Sequence, residues 1–134
     1  MPAGQSQKEV FVNEAHARLD ALIHCAIESV ETSPPALPEE GEMWMVGSGA
    51  DGDWLGRDHA LALFRGGGWQ YILPVDGMRI LDRSTGQDLR YLAEWKLAED
   101  FPEPSGGTSV DSEARVAIGS LIAALRVAGI LPSG

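Results

Sequence analysis

The apolar residues Ala15, Leu19, Leu22, Ile23, Ala26, Ile27 and Val30 recur at steps of three and four. That spacing marks one face of a helix. Asn13 suits its start, because its side-chain oxygen can accept from a free amide of the first turn, and Glu14 then lies at the positive end of the helix dipole. From Ile27 to Thr32 the pattern changes to alternation, so the helix is expected to stop near Cys25 and give way to a strand. Ser33-Pro34-Pro35-Ala36-Leu37-Pro38 continues neither element, since proline lacks a donor and restricts the residue before it. Beyond Gly41, Glu42-Met43-Trp44-Met45-Val46 reads as a short strand, and the Gly- and Asp-rich run from Gly47 to Gly56, with Trp54 inside it, reads as a loop.

The clearest strand pair follows. Ala60 to Arg65 and Trp69 to Leu73 flank Gly66-Gly67-Gly68, and glycines that accept positive φ predict a tight hairpin there. Pro74-Val75-Asp76-Gly77 is a second turn. Met78 to Asp82 and Asp88 to Trp95 flank Ser84-Thr85-Gly86-Gln87 as a second hairpin. Turns at this regular spacing describe a small antiparallel meander of about five or six short strands. Glu99 to Gly107 holds prolines, glycines and acids and reads as a linker. Asp111 then caps a helix whose Ala114, Ile118, Leu121, Ile122, Leu125 and Ala128 share a face, and Gly129 and Pro132 end it. The expected fold is α+β, with an N-terminal helix and β domain over residues 1–98, a linker over 99–109 and an amphipathic helix within 110–134.

The chain has 134 residues, about one domain's worth. Its net charge of −10 argues against nucleic acid, whose phosphates demand clustered Lys and Arg. Cys25 is the single cysteine, so no disulfide forms within the chain, and its apolar neighbours suit a buried thiol. Met1 to Lys8 lacks the apolar core of a signal peptide. No apolar run approaches the ~20 residues that span a bilayer, so no membrane insertion is expected.

Gln7, Lys8, Val10, Asn13, Glu14, Leu19 and Asp20 combine apolar spacing with polar residues at fixed places, the character of a docking or assembly element. With the following Pro35, Pro38, Gly41, Gly49-Ala50, Gly52, Trp54, Gly56, Trp69, Pro74 and Gly77, this opening resembles a small domain family of unnamed function. Members of that family occur in structural gene clusters of tailed phages, prophages and gene transfer agents, largely of alphaproteobacteria, and look like head-spike or tail-fibre components. The similarity runs from about Gln7 to Asp82, and the helix from Val110 to Leu131 is similar to an element appended to some members. The resemblance implies a virion structural protein on the surface of a phage-like particle, assembled in the bacterial cytoplasm from copies of itself and other particle proteins. Because many relatives carry a longer distal part and this sequence stops at Gly134, it implies a base, adaptor or short spike.

The candidate chemistry is thin. His24 and Glu28 are four apart, but two ligands do not hold a metal. Asp51-Gly52-Asp53 with Asp58 is oxygen-rich yet lacks the remaining ligands of a calcium loop, and a solvated turn is the better reading. Gly47-Ser48-Gly49 lacks the spacing of a nucleophile elbow, and Glu39, Glu40 and Glu42 read as a solvated charge run. No nucleophile, base and orienter converge, so the expectation is a protein without catalytic residues, metal or cofactor. Trp44 and Trp69 fall in alternating strand patterns and are expected in the core. Trp54 lies in a loop and is the best candidate for an exposed contact, such as stacking on a cell-surface polysaccharide, with packing over a hairpin an equal alternative. Ile118, Leu121, Ile122 and Leu125 are the candidate oligomerisation stripe.

Overall fold

The computed structural model describes residues 3–133. They form an α+β fold of an N-terminal helix, eight short strands in two small sheets, and a C-terminal helix. The class is the expected one, and the strand count is higher than expected. The chain divides into two compact units between Pro74 and Val75.

In the first unit α1 spans Ala3–Ile23. It starts well before Asn13, which therefore lies mid-helix and caps nothing. The physical reason is that Gln5 to Glu9 holds good helix formers and no breaker, so the polar run simply extends the helix. Its end just before Cys25 is as expected. The alternating stretch after it becomes two strands of two residues each, β1 (Ala26–Ile27) and β2 (Val30–Glu31). β2 runs parallel to β3 (Met43–Val46), with Val30 opposite Met45 and Glu31 opposite Val46.

β3 pairs antiparallel with β4 (Leu61–Arg65), and β4 with β5 (Gly68–Ile72). The register sets Trp44, Ala62 and Tyr71 in one row and Met43, Leu63 and Gln70 in the next. Only Gly66 and Gly67 form the turn, both at positive φ, 62° and 74°, which is the two-residue hairpin whose twist matches the strands. On one face Val46, Ala50, Trp54 and Ala62 are buried, with Trp44, Trp69 and Tyr71 packed against them. Met43, Met45, Leu61 and Leu63 are buried as well, so the central pair β3–β4 is covered on both faces.

The second unit contains β6 (Arg79–Asp82), β7 (Gln87–Leu92) and β8 (Glu94–Lys96), each antiparallel to the next. β8 is a strand of its own because Ala93 turns the chain at φ 60°, its N–H donating to the Asp76 carboxylate at 2.7 Å. α2 spans Ser112–Val127, and the Asp111 side chain accepts from the Ala114 N–H at 2.9 Å, the expected cap. Gly129, at φ 71°, ends it as expected.

Buried Gln87 ties this unit together: its Nε2 donates to the carbonyls of Ala98 (2.7 Å) and Ile130 (2.9 Å). Asp88 N–H donates to Gly129 O at 2.7 Å. Ile80, Leu89, Ile122 and Leu131 are all buried. The segment between β8 and α2 has no regular structure, but Arg126 Nη2 donates to both oxygens of the Asp100 carboxylate, at 3.0 and 3.1 Å, and Arg115 donates to the carbonyls of Pro104 and Gly106. Among the described residues no helix is long and apolar enough to cross a membrane.

Candidate functional site

α1 is a long helix that buries little of itself. Ala17 is its one buried side chain among those described, while Val10, Phe11, Val12, Leu19 and Ile23 are each more than half exposed. At 3.6 residues per turn, Val12, Ala15, Leu19 and Leu22 lie in an arc diametrically opposite Ala17, with Phe11 and Ile23 on its flanks. The helix thus turns its small residue inward and its large aliphatic residues outward. Gln7, Lys8, Val10, Asn13, Glu14, Leu19 and Asp20, singled out from sequence, are all exposed on this helix. Of these, Asp20 lies 3.9 Å from Arg65 in an exposed ion pair. Asn13, His16, Ala17, Asp20 and Arg65 line a shallow groove that is bordered by Leu19 and Ile23 at the edge of the aliphatic arc.

The C-terminal stripe divides. Ile122 is buried at 1% exposure and Leu125 is half-buried, so both pack within their own unit. Ile118 and Leu121 remain exposed, as do Val116 and Val127.

Of the two readings of Trp54, the exposed contact fails and packing holds: the indole is wholly buried. The 3₁₀ turn Gly52–Trp54 tips the ring inward, edge-on to Trp69 with centroids 5.1 Å apart. The loop is closed over it by Tyr71, whose hydroxyl donates to Asp53 O at 2.6 Å and whose ring carries Arg57 4.6 Å from its centroid. Partial burial raises the Tyr71 hydroxyl above its ordinary pKa. Sequence pattern could not reveal this, because an irregular loop has no period from which to read an inward face. Trp44 and Trp69 are half-buried against the core, as expected.

The acidic residues serve the backbone. Asp58 accepts from Gly49 N–H (2.8 Å) and Ala50 N–H (3.2 Å). Glu40 accepts from Gly66 N–H and Gly67 N–H, each at 3.0 Å. In both cases these N–H donors are the main reason the carboxyl is held below the ordinary carboxylate range. Neither role was read from the sequence, where the partners of Glu40 lie 26 and 27 positions away. His24 and Glu28 share no helix face, since α1 ends at Ile23. Among the described residues no group of three His, Cys, Asp or Glu is placed to hold a metal. Ser48 Oγ and His59 Nε2 are 3.4 Å apart on exposed loops. Cys25 is half-buried, and its burial pushes the thiol pKa up to about 11, leaving it protonated and poorly nucleophilic at neutral pH.

A family model described as a protein of unknown function, DUF2793, matches residues 12–96, more than half of the chain. The chain belongs to the DUF2793 family. No curated protein matches it. The DUF2793 match takes in the aliphatic part of α1 from Val12 onward, all eight strands and the loop that buries Trp54. α2 lies beyond it.

Proposed function

We propose that this chain is a noncatalytic structural subunit of a phage-like or gene-transfer-agent particle, part of a head spike or a tail-fibre base, assembled with copies of itself through α1. The observation that carries the reading is the aliphatic arc of α1. A helix stabilised by little beyond its own propensity is marginal in water, and this one leaves Val12, Leu19 and Ile23 more than half exposed. A second copy is the partner that fits. Val12, Ala15, Leu19 and Leu22 follow the three–four–three spacing by which like helices interlock side by side, and Ala15 lets the helices approach closely. The particle context is supported by the resemblance of the opening motif and the Gly/Trp/Pro series to head-spike and tail-fibre components.

Glycan recognition through Trp54 is not carried forward, because the ring is enclosed. The test is to purify particles from the strain that encodes the chain, identify their proteins by mass spectrometry, and compare electron micrographs of particles with and without it. The protein is expected in stoichiometric amounts, and an appendage is expected to vanish with it. Finding the chain only in the soluble fraction, with intact appendages on particles that lack it, overturns the reading.

A further inference from the structure

In the second unit the register places three cations in a single row. Arg79 on β6 is opposite Arg90 on β7, and Arg90 is opposite Lys96 on β8. Directly paired residues point to the same face of a sheet, so the three side chains stand together on one side. At the ordinary strand spacing the row is about 10 Å long. All three are exposed, alternating with buried Ile80 and Leu89. They line a groove of about 570 Å³ whose remaining wall includes Leu97, Ala98 and Ile130.

The charge arrangement is the informative part. Acids outnumber bases by 20 to 10 in this chain, so carboxylates to neutralise a surface arginine are plentiful. Lys96 takes one, donating to Glu94 at 2.9 Å. Arg79 and Arg90 take none, making no ion pair or hydrogen bond to a side chain among the described residues. Asp88 also lines the groove, but neither arginine pairs with it. Like charges directly opposite each other destabilise a sheet, and among the described residues no ion pair is made to Arg79 or Arg90 to offset theirs. Two planar guanidinium forks side by side on rigid strands match the geometry of oxyanions, which arginine binds through paired N–H donors.

We propose that Arg79, Arg90 and Lys96 form a binding site for a ligand bearing carboxylate, sulfate or phosphate groups, with the two arginines supplying the principal contacts and Lys96 the outer charge. The site is independent of self-assembly through α1.

The test uses the full chain and three probes: inorganic phosphate, an acidic oligosaccharide such as an oligogalacturonate, and its neutral counterpart. Calorimetry and thermal melts are run at matched ionic strength, with chloride as the reference anion. Saturable binding of phosphate or of the acidic oligosaccharide is expected, with a rise in melting temperature, and no binding of the neutral sugar. Binding of the acidic oligosaccharide more than tenfold tighter than phosphate identifies a polymeric acid as the source of the anion; equal affinity identifies a free oxyanion. Arg79→Ala and Arg90→Ala are each expected to weaken binding at least tenfold. Without ligand, both variants should melt at or above the wild-type temperature, because a like-charge contact has been removed. That last readout separates a binding role from a structural one. Binding that survives both substitutions, absence of binding by all three probes, or a fall in melting temperature of the ligand-free variants overturns the proposal.

Discussion

Replacing Leu19 by Asp tests the assembly reading at its centre. Leu19 is 60% exposed, so the folded chain loses little by the change itself. The helix-propensity cost of an interior Asp is at most about 0.7 kcal/mol. Within an assembly the position is different. Full burial of a leucine is worth about 1.5–3 kcal/mol, so closing the exposed part of Leu19 against a second α1 contributes about 1–2 kcal/mol per chain. Two copies lose about 2–4 kcal/mol between them, a drop of roughly 30- to 700-fold in association constant. Desolvating the introduced carboxylate adds to that loss. Sedimentation velocity across a concentration series is the assay, with far-UV circular dichroism to show that the helices persist. The expected result is that the wild type is oligomeric and Leu19→Asp dissociates, while Glu113→Gln, on α2, does not. A wild type that stays monomeric throughout, or a Leu19→Asp variant with unchanged mass, refutes the reasoning.

Further expectations follow from single side chains. Trp54→Ala should cost about 3–5 kcal/mol, the usual range for emptying a buried indole site, read as a loss of stability in chemical denaturation. Glu40 and Asp58 both have folded pKa values below their ordinary ones. Their clamps are therefore fully present above the ordinary carboxylate pKa and are lost as pH falls through the lowered values. Amide exchange at Gly66, Gly67, Gly49 and Ala50 should speed up on acidification relative to its intrinsic rate, and Glu40→Gln should abolish that response at Gly66 and Gly67 alone. Cys25, with its thiol raised to about 11, should react with a disulfide reagent far more slowly at neutral pH than a free thiol peptide, and match it only after unfolding.

The parts of the fold legible in sequence were those with a period or a punctuation mark. Gly66 and Gly67 announced their hairpin, Asp111 and Gly129 bracketed α2, and the prolines after Ser33 ended the elements before them. The start of α1 was not legible, because Gln5 to Glu9 lacks apolar residues and a helix needs no core to run through good helix formers. β8 was hidden because a non-glycine residue, Ala93, takes the positive φ at its turn. The inward tilt of Trp54 and the clamps of Glu40 and Asp58 depend on contacts distant in sequence. The assembly candidates on α1 were singled out by their mix of apolar spacing and polar residues, but their exposure and the direction in which the aliphatic arc points emerged only once Ala17 was seen to be buried. On α2 the same spacing gave Ile122 and Ile118 equal standing, and only packing separated them.

The edge-on contact between Trp54 and Trp69 has a spectroscopic corollary. Two indoles held at 5.1 Å and 77° couple their electronic transitions, producing a signed doublet in circular dichroism that vanishes when either ring is released. Trp95, beside Tyr91 in the second unit, has no indole neighbour in that unit. Melting of the first unit can therefore be followed by the doublet, an optical signal to which Trp95 does not contribute, without attaching a label.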